Sequence, residues 1–146
     1  MKAGWSCTIA SGNFIPEENE LYLMLFHVNL QPAHLALLYD HHYYSLSTQK
    51  VELSRPWEPL SGMLMRKKIP CLIIHLPQTV QQNSVVEVLM SEFSKHRPLS
   101  DNKITCLAPV KATLASIFNI KIQAEIVFDL LIALNNQGKI GTVYSF

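Results

Sequence analysis

The feature that most constrains the fold is a set of short apolar segments, each ended by proline or by a polar turn. Residues 20–30 read ELYLMLFHVNL and stop at Gln31-Pro32, and residues 71–76 read CLIIHL between Pro70 and Pro77. Both segments are rich in branched or aromatic side chains, so we predict strands, the first of them buried on both faces. No run reaches the roughly 18 apolar residues that span a bilayer. We therefore expect no membrane span.

Between these strands lie two more short apolar segments, AHLALLYD (33–40) and YYSLST (43–48), joined at Asp40-His41-His42. This arrangement predicts a β-hairpin with His34 at the start of its first strand, although the turn lacks the favoured Asn-Gly pair.

Four further segments of the sequence have patterns typical of helices. The predicted helices cover 58–68, a stretch from the Ser84–Glu87 capping box to near His96, a stretch just after Cys106 with Pro109 in its first turn, and about 126–135 with Gly138 as a left-handed cap. Nothing marks a linker or a repeat. We expect one α+β domain over residues 1–146, with a small, mostly antiparallel sheet packed against helices.

Composition narrows the function classes. Hydrophobic residues make up 49% of the 146 residues and charged residues 16%, below the usual share of about 25%. The net charge is only +1, and Arg66-Lys67-Lys68 is the single tight basic run, too short for a nucleic-acid footprint. With Met63 and Met65 ahead of it, that run has two interpretations. It is either an amphipathic patch that binds a membrane surface or a partner helix, or a solvated helix end.

The cysteines and the start of the chain bear on the compartment. Cys7, Cys71 and Cys106 are an odd number at wide spacing, which favours reduced thiols over a disulfide framework or a metal site. Polar residues interrupt the stretch after Lys2, so we see no secretory signal. Six histidines lack metal-ligand spacing. We expect a cytoplasmic protein with no metal and no cofactor.

The residues best suited to chemistry are Cys106 and His34. Cys106 precedes a predicted helix, where free backbone N–H groups and the helix dipole favour a thiolate. His34 could accept the thiol proton, and Ser45, Thr48 or Glu52 could orient the imidazole. The alternative is that Cys106 packs as a small buried hydrophobic residue.

The stretch NKITCLAPVKATLASIFNIK resembles permuted papain-like proteins of the NlpC/P60 superfamily. The matching residues are Asn102, Cys106, Val110, Lys111, Leu114, Phe118 and Ile120. The upstream AHLALLYDHHYYSLS is similar to the histidine-bearing hairpin of that family, with His34 ahead of Cys106 as in its permuted members. Pro109 and Asn119 depart from the pattern, and no second histidine occupies the orienting position near Ser45.

The resemblance implies a papain-like fold of permuted NlpC/P60 type and a hydrolase or acyltransferase with Cys106 as nucleophile, His34 as base and Ser45 as the third candidate. Its substrate would be an acyl, peptide or amide compound, and the bond attacked would be an amide, ester or thioester. The departures leave a second hypothesis open, a noncatalytic binding or inhibitor module that contacts a protein partner through an apolar surface.

Overall fold

A computed structural model describes residues 9–10, 14–26, 34–46, 51–95, 107–124 and 127–145. The elements are, in chain order, β1 (Ile9–Ala10), β2 (Leu21–Phe26), β3 (His34–Tyr39), β4 (His42–Leu46), β5 (Val51–Pro56), α1 (Trp57–Arg66), β6 (Cys71–Leu76), α2 (Gln82–Ser94), α3 (Leu107–Phe118), α4 (Val127–Asn136) and β7 (Val143–Ser145). None of the helices in these ranges is long and apolar enough to cross a lipid bilayer.

The strands of the described ranges form one sheet in the order β1-β7-β6-β2-β3-β4-β5. From β7 to β5 every neighbouring pair is antiparallel, and the two-residue β1 lies parallel to β7 at one edge. Four helices accompany the sheet in the described part of the chain. The predicted α+β class with a mostly antiparallel sheet is therefore confirmed.

The central strand β2 is buried along its whole length, as its continuous apolar sequence predicts. Its odd-numbered residues, Leu21, Leu23 and Leu25, pack with α2, α3 and α4 on what we call the three-helix face. Its even-numbered residues, Tyr22, Met24 and Phe26, pack with Trp57 and Leu64 of helix α1 on what we call the α1 face. The sheet thus separates two apolar clusters and contributes to both.

The predicted hairpin is β3–β4, and its turn has the primed geometry that hairpins favour. Asp40 and His41 occupy the two turn positions with φ of 50° and 65°, and Tyr39 pairs with His42 across the turn. A type I′ turn requires positive φ at both central residues. Aspartate tolerates this conformation better than most residues, which explains how the turn forms without Asn-Gly.

Within the described residues, a left-handed residue follows each of three helices, α1, α3 and α4. After α4, Gly138 has a φ of 67°, and the N–H of Lys139 donates to the Leu134 carbonyl over 2.9 Å, which confirms the predicted glycine cap. Asn119 follows α3 in the same conformation with a φ of 53°, which asparagine tolerates better than most residues. Lys68 has this conformation after α1 with a φ of 52°.

The predicted capping box at Ser84 is wrong. Helix α2 begins two residues earlier, at Gln82, after an N-cap Gln81 that makes no side-chain capping bond. The N–H of Val85 already donates to the Gln81 carbonyl over 3.1 Å, which places Ser84 inside the first turn. The preceding loop is held instead by the Gln78 side chain, whose Oε1 accepts the N–H of Val80 over 2.6 Å.

Candidate functional site

Cys106 lies outside the described residues. The predicted helix that follows it in the sequence is α3, which is described from Leu107 to Phe118 and contains Pro109. Leu107 is buried in the cluster of the three-helix face. The described part of α3, which follows Cys106 in the sequence, therefore packs on that face.

His34 is the first described residue of β3, the predicted strand, and its side chain belongs to the other face of the sheet. Its imidazole stacks on the Phe26 ring, with the ring centroids 5.7 Å apart and an angle of 27° between the planes. Phe26 pairs with His34 on one side and with Cys71 on the other, and both Phe26 and Cys71 belong to the α1-face cluster. The half-buried imidazole thus lies on the α1 face, and the neighbouring Leu35 points to the three-helix face.

Ser45 is buried in β4 and pairs directly with Ala36, so it shares the α1 face with His34. Because Ala36 follows His34 by two residues, Ser45 and His34 are diagonal neighbours, whose Cβ atoms are typically about 7–8 Å apart. The imidazole stacks on Phe26 of β2, on the side of β3 away from β4. The orienting role of Ser45 stays a prediction.

Of the other two orienting candidates, Thr48 lies outside the described residues and Glu52 already has an ionic partner. The Glu52 Oε2 atom lies 2.9 Å from Nε of Arg55. Residues three apart in a regular strand point to opposite faces, but the pairing of β4 with β5 shifts register here and Ser54 has a φ of 53°. This bulge brings Glu52 and Arg55 to one face, a contact that sequence spacing alone argues against.

Cys71 has a buried thiol that is not suited to act as a nucleophile. It is buried among the side chains of the α1 face, and this burial raises the pKa of its thiol to about 12. A thiol with such a pKa stays protonated at neutral pH and is a poor nucleophile. Cys71 is therefore a structural residue and an internal reference for any reactive cysteine in this chain.

His75 of strand β6 is held by a hydrogen bond and a ring contact. Its Nε2 lies 2.7 Å from Oε2 of Glu20, and its ring lies beside that of Tyr22, with centroids 5.2 Å apart. Gly141 packs so closely that a Cβ there would lie 3.1 Å from the imidazole Nδ1. The sequence did not reveal the Glu20 partner, because 55 residues separate the two.

The described ranges bring together no group of three histidine, cysteine, aspartate or glutamate side chains that could hold a metal ion. Comparison with models of known protein families, with curated proteins and with solved structures finds no match for this chain.

Proposed function

We propose that this protein is a cysteine-dependent hydrolase or acyltransferase of permuted NlpC/P60 type, with Cys106 as nucleophile and His34 as general base. The observation that carries the proposal is that the described part of helix α3 runs from Leu107, the residue that follows Cys106 in the sequence. The first N–H groups of a helix have no intrahelical acceptor, and together with the helix dipole they stabilise an anion. A thiolate at Cys106 would gain from both effects.

The chemistry follows from the two side chains. His34 takes the Cys106 proton, and the thiolate sulfur attacks the carbonyl carbon of an amide, ester or thioester. The tetrahedral intermediate collapses as the bond to the leaving group breaks, and the imidazolium returns its proton to that group. Water, or another acceptor, then attacks the thioester, releases the acyl group and restores the thiol. We place this activity in the cytoplasm, where thiols stay reduced.

A second candidate is a noncatalytic binding module that contacts a protein partner. The observation that favours it is the position of the His34 imidazole on the α1 face, while α3 packs on the three-helix face. The His34 imidazole and the described part of α3 therefore lie on opposite sides of the sheet. If His34 only packs on Phe26 and does not act as a base, the protein has this fold but no catalytic pair.

The test is the pH dependence of iodoacetamide alkylation, measured for each cysteine by mass spectrometry in the wild type and in Cys106→Ala and His34→Ala. We expect Cys106 to react rapidly, with an apparent pKa well below the ordinary value of about 8.5, and we expect His34→Ala to raise that pKa or abolish the fast reaction. Cys71 should stay unlabelled in the folded protein because its pKa is about 12.

His42→Ala is the matched control, since His42 is an exposed histidine of the adjacent strand at the opposite end of the hairpin. It should leave the Cys106 profile unchanged. Slow labelling of Cys106, or labelling that appears only together with that of Cys71 on unfolding, contradicts the hydrolase and favours the binding module.

A further inference from the structure

The end of helix α1 carries a concentration of positive charge that has no ionic partner within the described ranges. Arg66, Lys67 and Lys68 are consecutive and exposed, and none of them makes an ion pair with a described residue. The acidic residue of the same helix, Glu58, lies in its first turn. Arg66 lies eight positions after Glu58, about 12 Å along the helix axis, which exceeds the screening length of about 8 Å at physiological salt.

An exposed apolar side chain accompanies these cations. Met65 is 67% exposed, whereas the preceding Leu64 is 2% exposed and packs in the α1-face cluster. The helix therefore turns Leu64 toward the sheet and Met65 toward solvent, beside Arg66. Isolated exposed apolar residues are common, but here three exposed cations that make no ion pair within the described ranges follow directly in the sequence.

The conformation of Lys68 is the second independent observation. It occupies the left-handed position after the helix, where the N–H of Ile69 donates to the Leu64 carbonyl over 3.0 Å. Glycine is the residue most favoured at this position, and a side chain there strains the backbone. The chain thus keeps a third positive charge at a site where stability alone favours glycine, and strain of this kind is a pointer to function.

We propose that this surface, the α1 basic end (Met65, Arg66, Lys67 and Lys68), docks on the anionic surface of a lipid bilayer. Each lysine or arginine near such a surface strengthens binding by a factor of about five, and Met65 can enter the interface between headgroups and acyl chains. A nucleic-acid duplex fits less well, because three cations neutralise few phosphates and an exposed methionine gains nothing from a phosphate backbone. The proposal is independent of the Cys106 chemistry.

The test is cosedimentation of the whole protein with vesicles of phosphatidylcholine, with and without phosphatidylserine, at low and high salt. We expect binding that requires phosphatidylserine and weakens with salt. Lys67→Gln should lower the affinity by a factor of about five, whereas Lys121→Gln should not change it, because Lys121 is also exposed and has no ion pair among the described residues, yet lies after α3.

A second matched pair tests the apolar contact. Met65→Ser should weaken binding, and Met90→Ser should not, since Met90 is a partly exposed methionine of α2. Equal losses in Lys67→Gln and Lys121→Gln would mean that only net charge matters and would overturn the proposal. So would indifference to phosphatidylserine, or equal binding to duplex DNA with no effect of Met65→Ser. Unchanged thermal melts exclude misfolding of a variant.

Discussion

At the scale of single residues, two buried tyrosines on the three-helix face differ in the hydrogen bonding of their hydroxyl groups. Tyr39 and Tyr44 are each 2% exposed. The Tyr44 hydroxyl is hydrogen-bonded to the Ser54 side chain, while the Tyr39 hydroxyl has no partner among the described residues. Burial raises the pKa of both phenol groups, so both stay protonated. Each buried hydroxyl therefore needs a hydrogen-bond partner.

We expect Tyr39→Phe to leave stability unchanged or to increase it by about 1 kcal/mol, because it removes a buried hydroxyl that lacks a hydrogen bond. Tyr44→Phe should instead cost about 1 kcal/mol, the usual net value of a hydrogen bond. Urea denaturation of both variants measures the difference. A loss for Tyr39→Phe as large as that for Tyr44→Phe would show that the Tyr39 hydroxyl has a partner after all.

For the residues of the candidate site, the sequence predicts the type of element but not the face of the sheet. Residue type and local pattern predict a strand that contains His34 and a helix that follows Cys106 in the sequence, and the structure has both elements, β3 and α3. The face of the sheet on which each residue lies depends on which helix covers that face, and the helices are distant in sequence. The Glu52–Arg55 pair is missed for a related reason, since it depends on a bulge in β5.

At the scale of elements, the end of helix α1 gives a test of backbone strain that uses two adjacent lysines. Lys68 has a φ of 52°, whereas Lys67, the C-cap residue, has a right-handed φ of −89°. We expect Lys68→Gly to stabilise the fold by about 1 kcal/mol, because the left-handed conformation no longer strains a side chain. Lys67→Gly should destabilise it by roughly 0.5–1 kcal/mol, the entropic cost of glycine.

Both variants remove one positive charge from the same helix end, so the dipole interaction changes similarly in each and cancels in the comparison. Thermal and urea denaturation of the pair measures the difference. If both substitutions destabilise the protein equally, Lys68 is not strained, and the second observation behind the α1 basic end fails with it.

Element prediction succeeded where apolar periodicity was strong and failed where it was weak. The strands β2 and β6, the β3–β4 hairpin and the four helices follow the predicted order. Strand β5 was missed because its sequence, VELSRP, is polar, ends in proline and lies at the edge of the sheet. Strand β7 has three residues, and its pairing with β6 depends on the whole chain rather than on its own sequence.

At the scale of the whole molecule, the two apolar clusters share one sheet, so they should unfold together. Every residue of β2 is buried, with alternate side chains in the two clusters. Trp57 reports on the α1 face, since it is buried there, whereas most helical residues belong to α2, α3 and α4 on the other face. Fluorescence and far-ultraviolet circular dichroism therefore observe opposite sides of the sheet.

We expect both signals to give the same urea midpoint in Trp5→Phe, in which Trp57 is the single tryptophan. Leu23→Ala and Met24→Ala form the matched pair, because these adjacent, fully buried residues point to opposite faces. Each should cost about 2–5 kcal/mol, and each should lower both midpoints together. Separate midpoints, or a variant that shifts only the signal of its own face, would mean that the two faces fold as independent units and would contradict a single domain.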